Sequence, residues 1–195
     1  MMVKAIALIS GGIDSPVATY LVKRFGIEII ALHFSTELFT GGESKNKVKK
    51  ICKKLGIKKT IFVDASRNFE KIAKKCKRKY YFVLIKRFML RKAKEIVDKE
   101  KCDFIITGEN IAQVSSQTLI NLISITKAVD IPILRPLLTW DKNDIVKLAE
   151  KIGTFEISKG PEICDLLGPK HPATISDHKR LLEEEAKIGN ASGGI

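Results

Sequence analysis

Cysteine is scarce in this 195-residue sequence and is never closely paired. The four cysteines fall at positions 52, 76, 102 and 164, with no C-x-x-C among them. That spacing argues against a zinc ribbon or a thioredoxin-like redox site. In a reducing compartment such cysteines are free thiols by default. Cys52, Cys76 and Cys102 fall in helix or strand contexts, where the plain expectation is a small buried hydrophobe. Long apolar runs are also missing: none reaches the ~18 residues of a membrane span. Met1-Met2-Val3-Lys4 leads straight into a strand-length apolar run, without the small-residue cleavage site of a signal peptide. A cytoplasmic protein with no membrane association is expected. Internal repeats and low-complexity linkers are absent too, so the chain reads as one domain over residues 1–188 with a flexible tail at 189–195.

Acidic residues are short in one stretch only. From Glu43 to Lys101 there are 22 Lys and Arg against 6 Asp and Glu, whereas the rest of the chain has 13 against 16. The whole net charge of +13 therefore originates in one continuous segment. Glu is too scarce there for a balanced ion-pair surface of the kind that supports heat stability. A polyanionic partner is the natural inference, because neutralising phosphates releases counterions and drives binding.

Strand-like and helix-like periods alternate along the chain. Residues 3–9, 27–34, 59–63, 103–107 and 131–134 read as strands. Residues 16–25, 43–55, 67–76, 78–100, 114–129, 141–152 and 176–188 read as helices. The longest of these carries an apolar stripe through Phe82, Ile85, Met89, Ala93 and Ile96. Residues 153–174 hold little periodicity and read as a functional loop. The alternation predicts an α/β fold, a three-layer doubly wound parallel sheet of about five strands. Ligands in such folds bind beyond the carboxyl ends of the strands. Ser10–Ser15, His33-Phe34, Asp64 and Gly108–Asn110 all follow predicted strands and so converge on one edge.

Ser10-Gly11-Gly12-Ile13-Asp14-Ser15 lies between the first strand and the first helix. Two glycines allow a tight turn and close backbone approach to a ligand. Successive N–H groups and the helix N-terminus make a nest for phosphate oxygens, to which the Ser10 and Ser15 hydroxyls can add donors. No Lys follows as in a G-x-x-x-x-G-K-[ST] loop, and the spacing is not G-x-G-x-x-G. Asp14 beside phosphates calls for a cation between them, which suggests Mg²⁺. The bland alternative is a tight glycine turn with an Asp cap.

These residues, from Leu8 to Ala18, resemble the PP-loop of the ThiI family of tRNA 4-thiouridine synthases. Thr107-Gly-Glu-Asn-Ile-Ala-Gln-Val-Ser-Ser-Gln-Thr118 is similar to the family's second motif. Leu134-Arg-Pro-Leu-Leu-Thr-Trp-Asp-Lys142 and Ile152-Gly-Thr-Phe-Glu156 are similar to its third region. Pro161-Glu-Ile-Cys164 and Pro169-Lys-His-Pro-Ala-Thr174 are similar to its cysteine loop. The blocks run in family order. The family's N-terminal ferredoxin-like and THUMP regions and the rhodanese domain of some members have no counterpart here, so a catalytic core alone is expected.

The resemblance implies a PP-loop, adenine-nucleotide alpha-hydrolase-like fold of the HUP type and an ATP-dependent sulfurtransferase-type activity. ATP would contact Leu8, Ile9, His33, Phe34, Lys86, Arg87, Gly108 and Gln117, with Ser10, Gly11, Gly12, Asp14 and Ser15 around its phosphates and Mg²⁺ alongside. A tRNA uridine oxygen would attack the α-phosphate, pyrophosphate would leave, and a sulfur nucleophile from a persulfide or sulfide donor would displace AMP. Asp14 and Cys164 are the expected catalytic residues. Cys164 is reactive only as a thiolate, and Lys159, Lys170 and His171 flank it. An iron–sulfur role for Cys164 is a variant against which the missing C-x-x-C counts. A separate tRNA-binding subunit and a homo-oligomer are also expected. Adenylation of a small-molecule acceptor in sulfur or thiamine-thiazole metabolism, or a non-catalytic nucleotide-sensing or RNA-binding module, are the competing readings.

Overall fold

The computed structural model describes residues 3–36, 42–111, 117–159 and 167–189. Five strands, β1 (Lys4–Leu8), β2 (Glu28–Ser35), β3 (Lys59–Asp64), β4 (Phe104–Ile106) and β5 (Ile133–Leu134), form a sheet ordered β3-β2-β1-β4-β5. Every pairing is parallel, with Leu8 opposite Leu32 and Ala7 opposite Ile106. The chain steps outward from β1 to β3, then returns to the far side of β1 to lay down β4 and β5. The winding reverses between β1 and β4, and the crevice outside the strand ends at such a reversal is where ligands bind.

The helices are α1 (Asp14–Lys23), α2 (Glu43–Lys54), α3 (Ser66–Lys75), α4 (Tyr81–Glu100), α5 (Leu119–Thr126), α6 (Lys142–Lys151), α7 (Phe155–Ser158) and α8 (His178–Ala186), with a 3₁₀ turn at Arg78–Tyr80 leading into α4. Strand alternation sorts their packing. Ile6, Ile30, Leu32, Phe34 and Ile105 point to one face, against Phe69 and Ile72 of α3, the apolar side of α4, Leu122 and Ile125 of α5 and Leu181 of α8. Ala5, Ala7, Ile29, Ala31 and Ile106 point to the other, against Val17, Ala18 and Val22 of α1, Val48 and Ile51 of α2, and Ile145 and Ala149 of α6. The period of two along each strand thus builds two cores.

Two expectations shift. Of the helix expected over 114–129, residues 114–116 lie outside the described residues, and α5 itself begins at Leu119 after Thr118, which is extended and whose hydroxyl accepts from the Asn121 N–H at 3.2 Å, the geometry of an N-cap. The stretch expected to be irregular, 153–174, contains the short α7. Cys164 and the tail from residue 190 lie outside the described residues. Of the other thiols, Cys52 and Cys76 are buried and Cys102 is half-buried. Burial pushes all three thiols up, which keeps them protonated. The basic segment does not form one face. α2 covers one core and α3 and α4 cover the other, so the charge wraps around the β3 edge of the sheet.

Candidate nucleotide site

The loop after β1 is shaped by its own serines. The Ser10 N–H donates to Ser15 Oγ at 3.1 Å, the two hydroxyls lie 3.3 Å apart, and the Gly12 N–H donates to Ser10 Oγ at 3.3 Å. Gly11 sits at φ +91°, in the left-handed region that side chains rarely adopt. Ile13 stands at the N-cap of α1 and supplies no oxygen, so no side chain caps the first turn. Amides at an uncapped helix start carry partial positive charge and suit an anion. Gly108, after β4, closes against this turn. A Cβ there would lie 2.7 Å from Ser15 N and Cα. Only a glycine lets the two loops touch.

Two neighbouring cavities meet at Leu8, Ser10 and Met89. The first opens between β1 and β2, with Leu8, Ile9 and the glycines at its floor, His33 and Phe34 on one side and Ile85 and Met89 of α4 on the other. Its walls are mainly apolar with a few polar points, which suits a flat heteroaromatic ring. His33 is fixed by the Ile9 carbonyl, 2.7 Å from Nδ1. A carbonyl only accepts, so Nδ1 carries the proton and Nε2 is left to accept from the Ser44 hydroxyl at 3.3 Å. Phe34 meets Phe88 edge to face, with 6.4 Å between centroids, and so serves both core and cavity wall.

The second cavity opens toward β4 and is lined by Asp14, Ser15, Lys86, Gly108, Glu109 and Gln117 among others. Gln117 uses its carbonyl to accept from the Asn110 N–H at 2.9 Å. Asn110 in turn donates to the Leu137 and Trp140 carbonyls, each at 2.7 Å. Glu109 is buried and accepts from Lys86 Nζ at 3.0 Å and Arg135 Nε at 2.7 Å. Burial opposes its ionisation, but the fields of Lys86 and Arg135 outweigh it and hold the carboxyl down to about 2.

Asp14 lies at the rim, where its Oδ1 accepts from Lys142 Nζ at 2.6 Å. Lys142 is the first residue of α6, so the C-terminal third of the chain reaches the phosphate loop. No group of three or more His, Cys, Asp or Glu able to hold a metal gathers among the described residues. Mg²⁺ here would rest on Asp14 and on the phosphates themselves, the usual arrangement for this ion.

Arg87 departs from the expected ATP contacts. Its side chain is fully buried and lines neither cavity. It makes a bidentate pair with Glu185, at 2.7 and 3.0 Å, and also donates to the Ser124 carbonyl and to His178 Nδ1. Successive helical residues point ~100° apart, and here Lys86 turns to the second cavity while Arg87 turns to α5 and α8. Burial disfavours the Glu185 charge, yet Arg87 and Arg91 hold its carboxyl below the usual range. Arg87 thus ties α4 to α5 and α8.

The remaining expected residues, Leu8, Ile9, Ser10, Gly11, Gly12, Asp14, Ser15, His33, Phe34, Lys86, Gly108 and Gln117, all line one or other cavity. Sequence reasoning assigned no role to Glu109, Arg135 or Lys142, although all three stand inside the quoted motif blocks. A signal was present for two of them: Glu109 and Arg135 follow the ends of β4 and β5, on the ligand edge of the sheet, whereas Lys142 opens α6.

A 3-2-1-4-5 parallel sheet with a Gly-Gly phosphate loop after its central strand defines an adenine-nucleotide alpha-hydrolase-type fold of the PP-loop class. An NMN synthetase from Francisella tularensis (TM-score 0.63, 14% identity) and an NH3-dependent NAD synthetase from Campylobacter jejuni (0.59, 15%) share that fold. The ThiI profile, described as thiamine biosynthesis protein, matches residues 2–189, and the chain belongs to the ThiI family. It is 42% identical over 191 residues to a probable tRNA sulfurtransferase of Moorella thermoacetica, covering 95% of this chain and 49% of that protein. It is 38% identical over 192 residues to one of Coxiella burnetii, with the same shares covered. A crystal structure of a 4-thiouridine synthetase in complex with RNA and bound ATP superposes with a TM-score of 0.90 at 36% identity, over 95% of this chain and 50% of that one. The chain spans about half the length of the curated relatives it matches.

Proposed function

We propose that this chain is the ATP-using domain of a tRNA sulfurtransferase, which adenylates a tRNA uridine on the way to 4-thiouridine. The observation that carries the reading is the junction of two cavities at an uncapped, glycine-bearing loop: one cavity fit for a purine, the other lined by Lys86. ATP lies across the junction with its adenine between Phe34 and Met89 and its phosphates toward Ser10–Ser15. Uridine O4 attacks the α-phosphorus, the bond to the bridging oxygen breaks, and pyrophosphate departs toward the loop amides. Donors aimed at developing charge supply the larger share of catalysis in such transfers. Asp14 is the carboxylate that would hold Mg²⁺, which supplies charge neutralisation when bound. A persulfide or sulfide sulfur then bonds to C4, and AMP leaves. Where the donor is a carrier persulfide, its outer sulfur is by then bonded to C4; the Cys164 thiolate attacks the carrier-side sulfur, the sulfur–sulfur bond breaks, thiouridine leaves and a Cys164–carrier disulfide remains, whereas sulfide needs no such step.

RNA phosphates fit the rim beside α4. Lys77, Arg78 and Lys79 are exposed, and none of them makes an ion pair among the described residues. Arg78 donates to the Leu167 and Gly168 carbonyls at 3.3 Å, and Lys79 O accepts from the Ala173 N–H at 2.8 Å. Those bonds join the turn to the segment that carries exposed Lys170 and His171. Helical rise sets this rim roughly 10 Å along the axis from Lys86.

The test is to incubate the purified protein with ATP, Mg²⁺, sulfide and unmodified tRNA, and to analyse the nucleosides by mass spectrometry. 4-Thiouridine that requires ATP supports the reading; tRNA left unthiolated, also with candidate RNA-binding and sulfur-carrier proteins added, sinks it. The family's description as a thiamine biosynthesis protein supports one other acceptor, a thiazole precursor. ATP–pyrophosphate exchange that needs such a precursor and ignores tRNA would favour that reading.

A further inference from the structure

We propose that Glu109 is a positioning residue that holds the Lys86 ammonium at the wall of the second cavity, where a phosphate-bearing ligand meets it. The proposal rests on the nucleotide reading above. Glu109 directly follows Gly108, whose backbone is pressed against Asp14 and Ser15, so the carboxylate is fixed relative to the phosphate loop. Its Oε2 accepts from Arg135 Nε at 2.7 Å and from the Thr107 hydroxyl at 3.2 Å. Arg135 is itself held, with its guanidinium donating to Thr126 Oγ1 at 2.9 Å. One oxygen is thus locked from the residue after β4 and from the residue after β5. The other, Oε1, decides where Lys86 Nζ stands, 3.0 Å away.

A lysine has a flexible four-carbon stem and gains little definition from packing alone. Here a buried anion converts it into a fixed donor. The charges also favour a ligand. Two cations share one carboxylate, so the cluster keeps one positive charge in excess. Arg135 is the more enclosed partner, with 12% of its side chain exposed, against 24% for Lys86. The excess is therefore presented through Lys86, the member that lines the cavity with Glu109.

The test is a coupling measurement on the whole chain. ATP is titrated by calorimetry into wild type, Lys86→Met, Glu109→Asp and the double variant, and each melting midpoint is recorded. Glu109→Asp keeps the charge but is one methylene too short to reach both cations. Each single variant is expected to weaken ATP about 10-fold, and the double variant no more than about 20-fold, because coupled residues are not additive. A milder, more distant variant guards against misfolding: Thr126→Val loosens Arg135 and should weaken ATP about 2-fold in wild type and not at all in the Lys86→Met background. If Glu109→Asp melts lower but binds ATP like wild type, or if the losses multiply to about 100-fold, Glu109 is structural and the proposal falls. If wild type binds no ATP, the nucleotide reading itself falls.

Discussion

Replacing Gly108 by alanine is a direct probe of how the phosphate loop is held. The added Cβ would sit 2.7 Å from Ser15 N and Cα and 2.9 Å from the Asp14 carbonyl carbon. Ordinary carbon contacts lie near 3.5 Å, so something must yield by about 0.8 Å. What stands in the way is backbone, not a flexible side-chain tip. Ser15 is further pinned, because its carbonyl accepts from Thr19 Oγ1 at 2.7 Å. Overpacking of this kind costs about 1–3 kcal/mol. In a domain of this size each kcal/mol lowers the melting point by about 2–4 °C. Displacing the loop by most of an ångström also misaligns the α-phosphate, for which a rate loss of about 100-fold is expected. Gly42→Ala is the control: among the described residues nothing lies within 4 Å of its Cβ, and its φ is ordinary. Gly42 is the N-cap of α2, where alanine is disfavoured, so that variant should lose up to about 1 kcal/mol of stability and keep the wild-type rate. Thermal melts and ATP-dependent thiolation would be compared across the three proteins. If Gly108→Ala melts with Gly42→Ala and works at wild-type rate, the close approach of the two loops is not what organises the site.

Arg87→Leu should destabilise the protein by about 3 kcal/mol, since it leaves Glu185 short of its bidentate partner, while ATP affinity of the folded fraction stays within about 2-fold; a calorimetric titration that finds the reverse pattern would return Arg87 to the site. Glu109→Gln should show a pH signature in denaturant melts. The folded carboxyl is depressed from 4.5 to about 2, so its stabilisation is complete above the unfolded value and fades as pH falls from about 4.5 through 2. The stability gap between wild type and Glu109→Gln should thus be flat from pH 6 to 8 and narrow below about 4.5; a gap that widens in acid would contradict the pairing. Arg78→Glu combined with Lys79→Glu should weaken tRNA binding and reduce the salt slope by about 1 per lost phosphate contact, with ATP affinity unchanged; an unaltered slope in filter binding would place RNA elsewhere.

The strands were legible because their residues alternate in two senses at once. Ile6 and Ile30 against Ala5 and Ala31 read as apolar on both faces, which is how a strand buried between helix layers looks. The Gly-Gly turn was legible as a phosphate nest from its place between strand and helix. The start of α5 was harder, since apolar residues upstream of Thr118 mask the cap that ends with Asn121. Lys86 and Arg87 were both assigned to ATP by the family resemblance, and a linear sequence does not show that neighbours on a helix are rotated apart. Glu109 escaped for a different reason. Its place on the ligand edge, between Gly108 and Asn110, was legible, but its partners were not: only the fold brings it to Lys86 and Arg135, 23 and 26 positions away. Net charge located the basic segment but not its surface: a run that is continuous in sequence is divided by the sheet between two helix layers.

The bond from Lys142 to Asp14 spans 128 positions of chain. During synthesis the phosphate loop is therefore made long before the residue that completes its rim. At ribosomal rates of about 5–20 residues per second, the interval is roughly 6–26 s. Through much of it β1, the middle strand, has β2 on one side and an open edge on the other, because β4 has yet to emerge. The nascent chain thus carries its nucleotide loop on an unfinished sheet, and anything that stalls translation before Lys142 would release a polypeptide with the motif but without the assembled rim.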